Sequence, residues 1–478
     1  MNLKNYKHIY LIGIGGISIS AIAKLFLYHK INVSGFDLVE SNITREIISL
    51  GADIIIMDKS AQIPEDVDLL IYSEAVPEND SIRAQAKKRQ IKQLSGSEFW
   101  GEFSKDKKVI AISGTNGKSS TTAMIGLILE EAGLDPTVVV GTRVLQWNNN
   151  IRIGSSDWLV IEADEYHAKM LNYTPYIAVI TNIAEDHLDY YKNLDDIIFH
   201  FQKWVDKMPD NSFIILNRDD KNSNKLLTSN KQVYKFGIGG KDCVRAVGIT
   251  ECSKDADWGG ETDFNIVDNE KDWGMVRMQV PGKHNIINAV AAAVACDSAG
   301  IIRKKIIKAL KEFKGTWRRF ETVGEYKSAL IISDYAHHPE AIKATLEAAR
   351  SWYPFHRIVL LFQPHHHNRT KNLFNEFVQS FSQADEVIIS EIYDVAGREI
   401  SEDQEISSND LVIAIKNSFP VRSGEGDESG LSADNISYAQ NLESAEQMLR
   451  KKIKPEDIVI IMGAGDVDKV ARNLVSFI

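Results

Sequence analysis

The chain has 478 residues, is 44% hydrophobic and 25% charged, and carries a formal net charge of −11. This length is too great for one hydrophobic core and predicts about three domains. Its apolar stretches are too short to span a membrane, and its acidic balance argues against nucleic-acid binding. Three cysteines make no disulfide framework, and the N-terminus has no signal-peptide pattern. We therefore expect a cytoplasmic protein without a membrane or nucleic-acid partner.

The first hundred residues alternate strand and helix patterns, which predicts a small α/β domain with a parallel sheet. Strands are expected at His8–Ile14, Asn32–Asp37 and Val67–Ser73, with a helix at Ser18–Tyr28. The turn after the first strand reads Gly-Ile-Gly-Gly-Ile-Ser, and an acidic residue, Asp37, ends the next strand. The dinucleotide fingerprint has a glycine where Ser18 stands, so nicotinamide binding is weakly indicated. A nucleotide phosphate on the helix N-terminus is favoured over it, and a turn that only closes a corner is the structural alternative.

A second glycine turn is a more specific indication of function than the first. The segment Ser113-Gly114-Thr115-Asn116-Gly117-Lys118-Ser119-Ser120 follows the apolar run Val109–Ile112 and precedes a helical pattern over Thr121–Ala132. Strand, glycine turn, Lys-Ser and helix are the layout of a phosphate-binding loop. In such a loop Lys118 neutralises phosphate charge and the Ser119 hydroxyl binds Mg²⁺. The first glycine of the general motif is replaced by Ile112, yet the context predicts ATP or GTP binding.

Acidic residues and a histidine follow two strands of the same region. Glu162-Ala163-Asp164-Glu165 ends the predicted strand Trp158–Ala163, and Glu185-Asp186-His187 follows the predicted strand Tyr176–Thr181. The carboxyl ends of neighbouring parallel strands converge on the ligand crevice of such a sheet. These groups are expected to complete a Mg²⁺ site begun by Ser119, although each alone would be a helix cap. Because Mg²⁺ prefers oxygen ligands, a histidine indicates a second, looser site.

The last region, from about residue 323, repeats the α/β pattern. Strands are predicted at Ala329–Asp334, Ile358–Gln363, Glu386–Ser390 and Asp457–Met462, and a loop at Ser423–Asn435. An antiparallel excursion is predicted earlier, at Cys243–Met278, and a helix at Ile286–Ala299. Polar segments after the first two strands of this region are Asp334-Tyr335-Ala336-His337-His338-Pro339 and Gln363-Pro364-His365-His366-His367-Asn368-Arg369. Recognition of a substrate carboxylate by Arg369 is favoured over metal chelation by the three histidines, because adjacent residues do not share a face.

The ordered set of motifs resembles the Mur ligase superfamily along nearly the whole chain. The matching stretches are Gly13–Gly16, Gly114–Ser119, Glu162–Glu165, Thr181–Ile183, Asp186–Tyr191, Pro281–Asn285, Arg318–Glu321, Asp334–Pro339, Phe362–His365 and Met462–Asp466. The Tyr-Ala-His-His-Pro and Phe-Gln-Pro-His segments are similar to the branch that acts on L-alanine. The resemblance implies an α/β fold of three domains. These are a Rossmann-like UDP-binding domain at 1–106, a central ATPase-type P-loop domain at 107–322 and a Rossmann-like amino-acid domain at 323–478.

The resemblance also implies an activity. ATP would phosphorylate the carboxylate of UDP-N-acetylmuramate, and the amine of L-alanine would attack the acyl phosphate, in peptidoglycan precursor synthesis. Mg²⁺ would be the cofactor, and the protein would be a monomer or weak homodimer. The implied catalytic residues are Lys118, Glu162, His187 and Arg319, and the implied metal ligands are Ser119, Glu162 and His187. ATP would contact Gly114, Thr115, Asn116, Gly117, Lys118, Ser119, Ser120, Asn285, Arg319 and Asp334. The substrates would contact Gly15, Gly16, Asp37, Ser41, Thr44, Thr181, Asn182, Tyr335, His337, His366 and Arg369.

Several positions depart from the family pattern. His366 stands where the family has an arginine, and a histidine cannot rebuild a bidentate carboxylate contact. Tyr166 follows Glu165 where the family has serine, which resembles the ligase that recycles a preformed tripeptide. A peptide or another amino acid is therefore an open alternative for the amine substrate. An NAD-linked oxidoreductase and a catalytically silent nucleotide-binding regulator are further alternatives that leave Lys118 and the carboxylates without a role. Modification of Lys203 is left open.

Overall fold

A computed structural model describes the chain at residues 1–57, 62–188, 190–254, 259–394, 406–419 and 430–476. The chain forms two compact units. The first comprises Met1–Val247, Asn265–Val276 and Ile287–Phe313, and the second comprises Gly248–Phe264, Arg277–Ile286 and Lys314–Ile478. Within the described ranges, no helix is both long and apolar enough to cross a membrane.

The chain begins with a five-stranded, fully parallel sheet in the order β3-β2-β1-β4-β5. Its elements are β1 (His8–Ile12), α1 (Ile17–Tyr28), β2 (Asn32–Asp37), α2 (Asn42–Ser49), β3 (Asp53–Ile56), β4 (Leu69–Tyr72), α3 (Ser81–Lys88), β5 (Lys92–Ser95) and α4 (Gly96–Ser104). Successive side chains of a strand point to opposite faces. Ile9 and Leu11 therefore enter one apolar core, and Tyr10 and Ile12 enter another. Burial on both faces explains the continuous apolar runs of these strands.

A second sheet has ten strands in the order β15-β14-β13-β12-β11-β10-β6-β9-β7-β8. Its strands are β6 (Lys108–Ser113), β7 (Thr137–Val144), β8 (Asn149–Arg152), β9 (Trp158–Glu162), β10 (Ile177–Ile180), β11 (Phe213–Asn217), β12 (Gln232–Gly237), β13 (Val244–Lys254), β14 (Gly259–Asp268) and β15 (Lys271–Met278). Four helices belong to the same stretch of chain: α5 (Lys118–Glu131), α6 (Leu194–Lys207), α7 (Lys283–Ser298) and α8 (Arg303–Glu312). Strand β6 is parallel to both of its neighbours, β9 and β10. The segments that follow these three strands therefore start at the same edge of the sheet.

The third sheet has six strands in the order β16-β17-β21-β18-β19-β20, and all pairs except β16 with β17 are parallel. Its strands are β16 (Glu321–Tyr326), β17 (Ala329–Asp334), β18 (Ile358–Phe362), β19 (Glu386–Ser390), β20 (Ile436–Ala439) and β21 (Ile458–Met462). Its helices are α9 (Pro339–Trp352), α10 (His367–Asn372), α11 (Phe374–Val378), α12 (Ser408–Ser418), α13 (Leu442–Lys452) and α14 (Asp468–Val475). Separate apolar clusters cover its two faces, as expected for a doubly wound sheet.

The strand predictions for Asn32–Asp37, Ala329–Asp334 and Glu386–Ser390 are confirmed residue for residue. The first strand ends at Ile12, two residues earlier than predicted, because Gly13 turns the chain with φ 74°. The stretch Cys243–Met278, which is predicted to form short antiparallel segments, contains β13, β14 and β15. Most of the loop predicted at Ser423–Asn435, residues 423–429, lies outside the described residues.

Candidate active site

The phosphate-binding loop joins β6 to α5 and uses two glycines in the left-handed region. Gly114 has φ 132° and Gly117 has φ 86°. A side chain on Gly114 would collide with the Thr181 hydroxyl, and one on Gly117 would collide with the Asn288 side chain. Both positions therefore require glycine for the close approach of neighbouring groups as well as for the backbone conformation. Helix α5 begins at Lys118, directly after the turn.

Two residues after β10 hold this loop in shape. The Thr181 hydroxyl donates to the Asn116 carbonyl at 2.7 Å, and Asn182 Oδ1 accepts from the Asn116 amide at 3.0 Å. The Asn182 carbonyl accepts from the Thr115 amide at 3.0 Å. The structure thus uses Thr181 and Asn182 to support the cradle, and their contact with substrate stays a prediction.

The Lys118 ammonium lies inside the loop and contacts a carboxylate. Its Nζ donates to the carbonyls of Gly114 at 2.6 Å and Thr115 at 3.2 Å, and it lies 2.9 Å from Glu165 Oε2. Burial by itself lowers the pKa of Lys118, but the negative charges led by Glu165 outweigh it and raise that pKa. Lys118 is therefore a fixed positive charge at the centre of the loop.

Glu162, the last residue of β9, lies beside the first turn of α5. Its Oε2 accepts from the Ser119 hydroxyl at 2.9 Å and from the Gly141 amide at 2.7 Å. Burial raises the pKa of Glu162, against the opposing effect of Lys118. Ser119 and Glu162, both predicted metal ligands, are thus in direct contact, and their binding of a metal stays a prediction.

Three further ligand groups lie together next to Lys118. One atom each from Asp164, Glu165 and His187 lies within 4.8 Å of the others, and the His187 Nε2 to Glu165 Oε1 distance is 3.5 Å. Glu165 Oε2 is buried and makes no hydrogen bond of acceptable geometry within the described residues, although Lys118 is close. Carboxylate oxygens in this number suit Mg²⁺, whereas the imidazole is a weaker ligand for it. The donor set therefore fits a divalent cation.

Asp164 and Glu165 are the residues of this centre that the sequence reasoning did not single out. The acidic run Glu162–Glu165 was visible, but its members were not distinguishable by role. Glu165 is 47 positions from Lys118 in the chain and reaches it because β9 is the neighbour of β6. A second unpredicted feature is Asn288, on α7, which covers Gly117.

The first glycine turn is supported by the predicted acidic residue. Asp37 Oδ2 accepts from the Gly15 amide at 2.7 Å, and Gly16 is the N-cap of α1. Ser41 and Thr44 form the capping box of α2, in which each hydroxyl accepts from the other's backbone amide. Both hydroxyls thus have partners within the helix, and the predicted substrate contacts of these residues stay predictions.

The basic pair before β16 divides into a buried and an exposed arginine. Arg318 is 7% exposed, and its side chain donates to the Gly463 carbonyl. Arg319 is exposed, with its guanidinium carbon 4.8 Å from the centre of the Tyr335 ring. Asp334 accepts from the amides of Phe320 at 2.7 Å and Ala336 at 2.8 Å, and burial raises its pKa against the effect of Arg319. The predicted choice of Arg319 as the phosphate contact is compatible with its exposure.

The predicted amino-acid residues gather where β17 and β18 end. The Tyr335 and His337 rings lie 5.2 Å apart, and the His337 and His365 rings 5.8 Å apart. Arg369 Nη1 lies 3.3 Å from His365 Nδ1. His366 Nδ1 lies 3.7 Å from Asp394 Oδ1, in the segment that follows β19. The structure therefore brings these four predicted residues into one neighbourhood, together with His365 and Asp394.

Two remaining predictions concern single residues. Asn285 is buried, and its Nδ2 donates to the Pro281 carbonyl at 2.7 Å, so that its expected contact with adenine stays a prediction. Lys203 is exposed on α6, with Nζ 4.3 Å from the centre of the Phe199 ring. This position fits an ordinary surface lysine, and its modification is untested.

Three family models match consecutive parts of the chain. They are "Mur ligase family, catalytic domain" at residues 8–108, "Mur ligase middle domain" at residues 112–296 and "Mur ligase, glutamate ligase domain" at residues 318–465. Together they match well over half of the chain.

Curated relatives match over almost the whole length. A UDP-N-acetylmuramate–L-alanine ligase of Clostridium acetobutylicum is 38% identical over 479 residues, with 99% of each chain covered. The corresponding ligase of Clostridium botulinum is 37% identical over 475 residues, with 98% of each chain covered. A crystal structure of a UDP-N-acetylmuramate-alanine ligase from Thermotoga maritima has a TM-score of 0.81 at 24% identity and covers 98% of both chains. This last likeness establishes a shared fold.

Proposed function

The chain belongs to the Mur ligase family, and on that premise we propose that it joins the carboxylate of UDP-N-acetylmuramate to the amine of L-alanine with the use of ATP. The reaction forms an amide in the synthesis of peptidoglycan precursors, and an acyl phosphate is its intermediate. Domains at 1–106, 107–322 and 323–478 are proposed to bind the UDP-sugar, ATP and the amino acid.

The observation that carries the proposal is the position of Lys118 and Ser119 at the start of α5, beside the carboxylates that follow β9. Phosphoryl transfer depends on positioning and on neutralising charge more than on covalent chemistry by the protein. Asn182 accepts from the Thr115 and Asn116 amides, so the amides at the start of α5 are the ones that would face phosphate, and Lys118 supplies the positive charge beside them. An NAD-linked oxidoreductase would leave this arrangement without a role.

Lys118 has to exchange partners when ATP binds. In the structure its ammonium is held by Glu165 and two loop carbonyls. A phosphate that approaches the loop would take over that ammonium, and the Glu165 carboxylate would then need another cation. Ser119, Glu162, Asp164, Glu165 and His187 are the residues that would hold Mg²⁺ there. When bound, Mg²⁺ neutralises charge on the transferred phosphoryl group.

The remaining predicted residues are assigned to the three domains and their ligands. Gly15, Gly16 and Asp37 are proposed to bind the UDP part, with Ser41 and Thr44 supporting that turn. Asn285, Arg319 and Asp334 are proposed to lie near ATP, and Arg319 is exposed enough to touch phosphate. Tyr335, His337, His366 and Arg369 are proposed to surround the amino acid.

The test is an assay of phosphate release with Mg-ATP, UDP-N-acetylmuramate and a panel of amines. L-Alanine should give the fastest release, with glycine, L-serine and a tripeptide as competitors in the panel. Lys118→Ala should abolish release without loss of the folded state, whereas Lys87→Ala, at an exposed lysine of α3, should leave it unchanged. Release that does not depend on any amine, or that depends only on the tripeptide, would contradict the proposal.

A further inference from the structure

We propose that His367, oriented by Asp394, is the general base that removes a proton from the ammonium group of the incoming amino acid. This inference rests on the proposed function. An amine attacks an acyl phosphate only with its lone pair available, and an amino acid carries that nitrogen protonated near neutral pH. The second half of the reaction therefore needs a proton acceptor, and positioned histidines are the commonest ones.

The two residues are brought together by pairing between the segments that follow β18 and β19. His365 forms a parallel bridge with Tyr393. The Tyr393 amide donates to the Pro364 carbonyl at 2.9 Å, and the His366 amide donates to the Tyr393 carbonyl at 2.9 Å. The position of Asp394 relative to the start of α10 is thereby set by backbone hydrogen bonds.

Asp394 contacts His367 twice. Its Oδ2 lies 2.5 Å from His367 Nδ1, and its Oδ1 accepts from the His367 backbone amide at 3.3 Å. A carboxylate can only accept, so Nδ1 carries the proton in this contact. In the neutral imidazole, Nε2 then holds the lone pair. The same Asp–His logic orients the base in serine hydrolases.

His365 has the opposite arrangement. Its Nδ1 lies 3.3 Å from Arg369 Nη1, and a guanidinium can only donate. His365 Nδ1 therefore accepts, and Nε2 carries the proton. Two histidines two positions apart thus offer different groups, a donor from His365 and an acceptor from His367. A zwitterionic amino acid needs both, because its carboxylate binds donors and its ammonium group binds acceptors.

The pair is placed where a small substrate can reach it. The side chains of His367 and Asp394 are 19% and 22% exposed, so neither belongs to the sealed core. Both follow the carboxyl ends of adjacent parallel strands, where ligands bind in such sheets. Asp394 contacts His367 directly, and His365, His366, Arg369 and Lys371 are its charged or titratable neighbours on the same segment. His365 in turn lies against Tyr393, after β19, and His337, after β17.

His367 Nε2 takes one proton from the ammonium group and later passes it to water. The freed nitrogen lone pair forms the C–N bond at the acyl carbon, and the bond from that carbon to the phosphate oxygen breaks. The second proton of the attacking nitrogen leaves with phosphate as hydrogen phosphate. Asp394 acts through His367 and is a positioning residue.

The decisive variant is His367→Gln, measured in both halves of the reaction. The first half is measured with ATP and UDP-N-acetylmuramate in the absence of an amine. Isotope exchange at the β,γ-bridging oxygen of ATP then reports the formation of the acyl phosphate. The variant should keep this exchange and lose about 10²- to 10⁴-fold in kcat for amide formation with L-alanine at neutral pH. The difference in kcat between wild type and variant should become smaller as the pH rises, because more of the amino acid then has an unprotonated amine. His8→Gln is the matched control, since His8 Nδ1 makes a similar contact with Asp66 at 2.9 Å.

Asp394→Asn provides the second readout. An asparagine amide can donate to Nδ1 and thereby move the ring proton to Nε2, so Asp394→Asn should reduce kcat for amide formation and leave the isotope exchange unchanged. An unchanged kcat for amide formation, or an equal loss of isotope exchange, in Asp394→Asn would overturn the role of Asp394. Equal losses of isotope exchange and amide formation in His367→Gln, or an unchanged kcat, would overturn the role of His367. Absence of exchange in the wild-type protein would instead overturn the proposed function, and this inference with it.

Discussion

Lys118 and Glu165 form a buried ion pair in the phosphate-binding loop, with Nζ 2.9 Å from Oε2. The side chains are only 14% and 4% exposed, so each charge depends on the other for its solvation. A phosphate that takes Lys118 must displace Glu165, and the carboxylate is then available to a cation. Under the proposed function, this pair would link ATP binding to Mg²⁺ binding at one point in the molecule.

The interaction between Lys118 and Glu165 should be measurable as a coupling free energy in the unfolding of single and double variants. Glu165→Gln should lower the free energy of unfolding by roughly 3 kcal/mol, because Lys118 stays buried without its carboxylate. Lys118→Met should cost a comparable amount for the converse reason. The double variant should be more stable than the sum of the two losses predicts. Urea unfolding of the nucleotide-free protein measures all three, and strictly additive losses would show that the two charges do not interact.

Alanine substitutions at Gly117 and Gly133 distinguish backbone strain from steric collision, because both glycines have a positive φ but only Gly117 has a close neighbour. Gly117→Ala should weaken ATP binding more than tenfold, because the new methyl group meets the Asn288 side chain. Gly133 has a similar φ of 80°, but nothing lies within 4 Å of the position its side chain would take. Gly133→Ala should therefore cost about 1 kcal/mol of stability and leave ATP affinity unchanged. Isothermal titration with ATP and thermal unfolding distinguish the two effects, and equal ATP affinities would refute the collision.

The adjacent arginines should separate function from stability. Arg318→Ala should cost about 2 kcal/mol in urea unfolding, because it removes a buried guanidinium and its hydrogen bond to the Gly463 carbonyl. Arg319→Ala should change stability little, since that side chain is exposed, and should lower kcat for phosphate release. The reverse assignment, with Arg318→Ala stable but inactive, would mean that Arg318 is the phosphate contact.

His187 should make the stability of the metal-free protein depend on pH. Burial lowers the pKa of His187, but Glu165 and Asp186 more than offset this, so the folded-state pKa lies above the ordinary value of 6.5. The protonated form is therefore favoured by folding. Its contribution is complete below pH 6.5 and is lost as the pH rises through the folded-state pKa. In buffer with a chelator, the stability difference between wild type and His187→Gln should shrink from pH 6 to pH 9. A constant difference would count against the ion pair.

The local architecture was largely predictable, because it depends on short stretches of chain. Alternation of apolar strands with helices predicted parallel α/β sheets, and three strands were placed without error. Asp37 was expected near the first glycine turn and hydrogen-bonds to the Gly15 amide. The Ser41 and Thr44 hydroxyls, expected at the substrate, cap their own helix in the structure, and their contact with substrate stays a prediction. Helix capping and substrate binding use the same residue types, so the sequence did not distinguish them.

By itself the sequence determined the glycine turn, because the conformation of a short turn between a strand and a helix depends on its own residues. The order of the motifs along the chain indicated the family. The sequence also showed the acidic and histidine segments from which a site could be built. Only the tertiary structure decided which members meet. Glu165 reaches Lys118 because β9 pairs with β6, and Asp394 reaches His367 because β19 pairs with β18. Strand order and side-chain direction arise from packing of the whole sheet, so residues distant in the chain acquire their partners only when it folds.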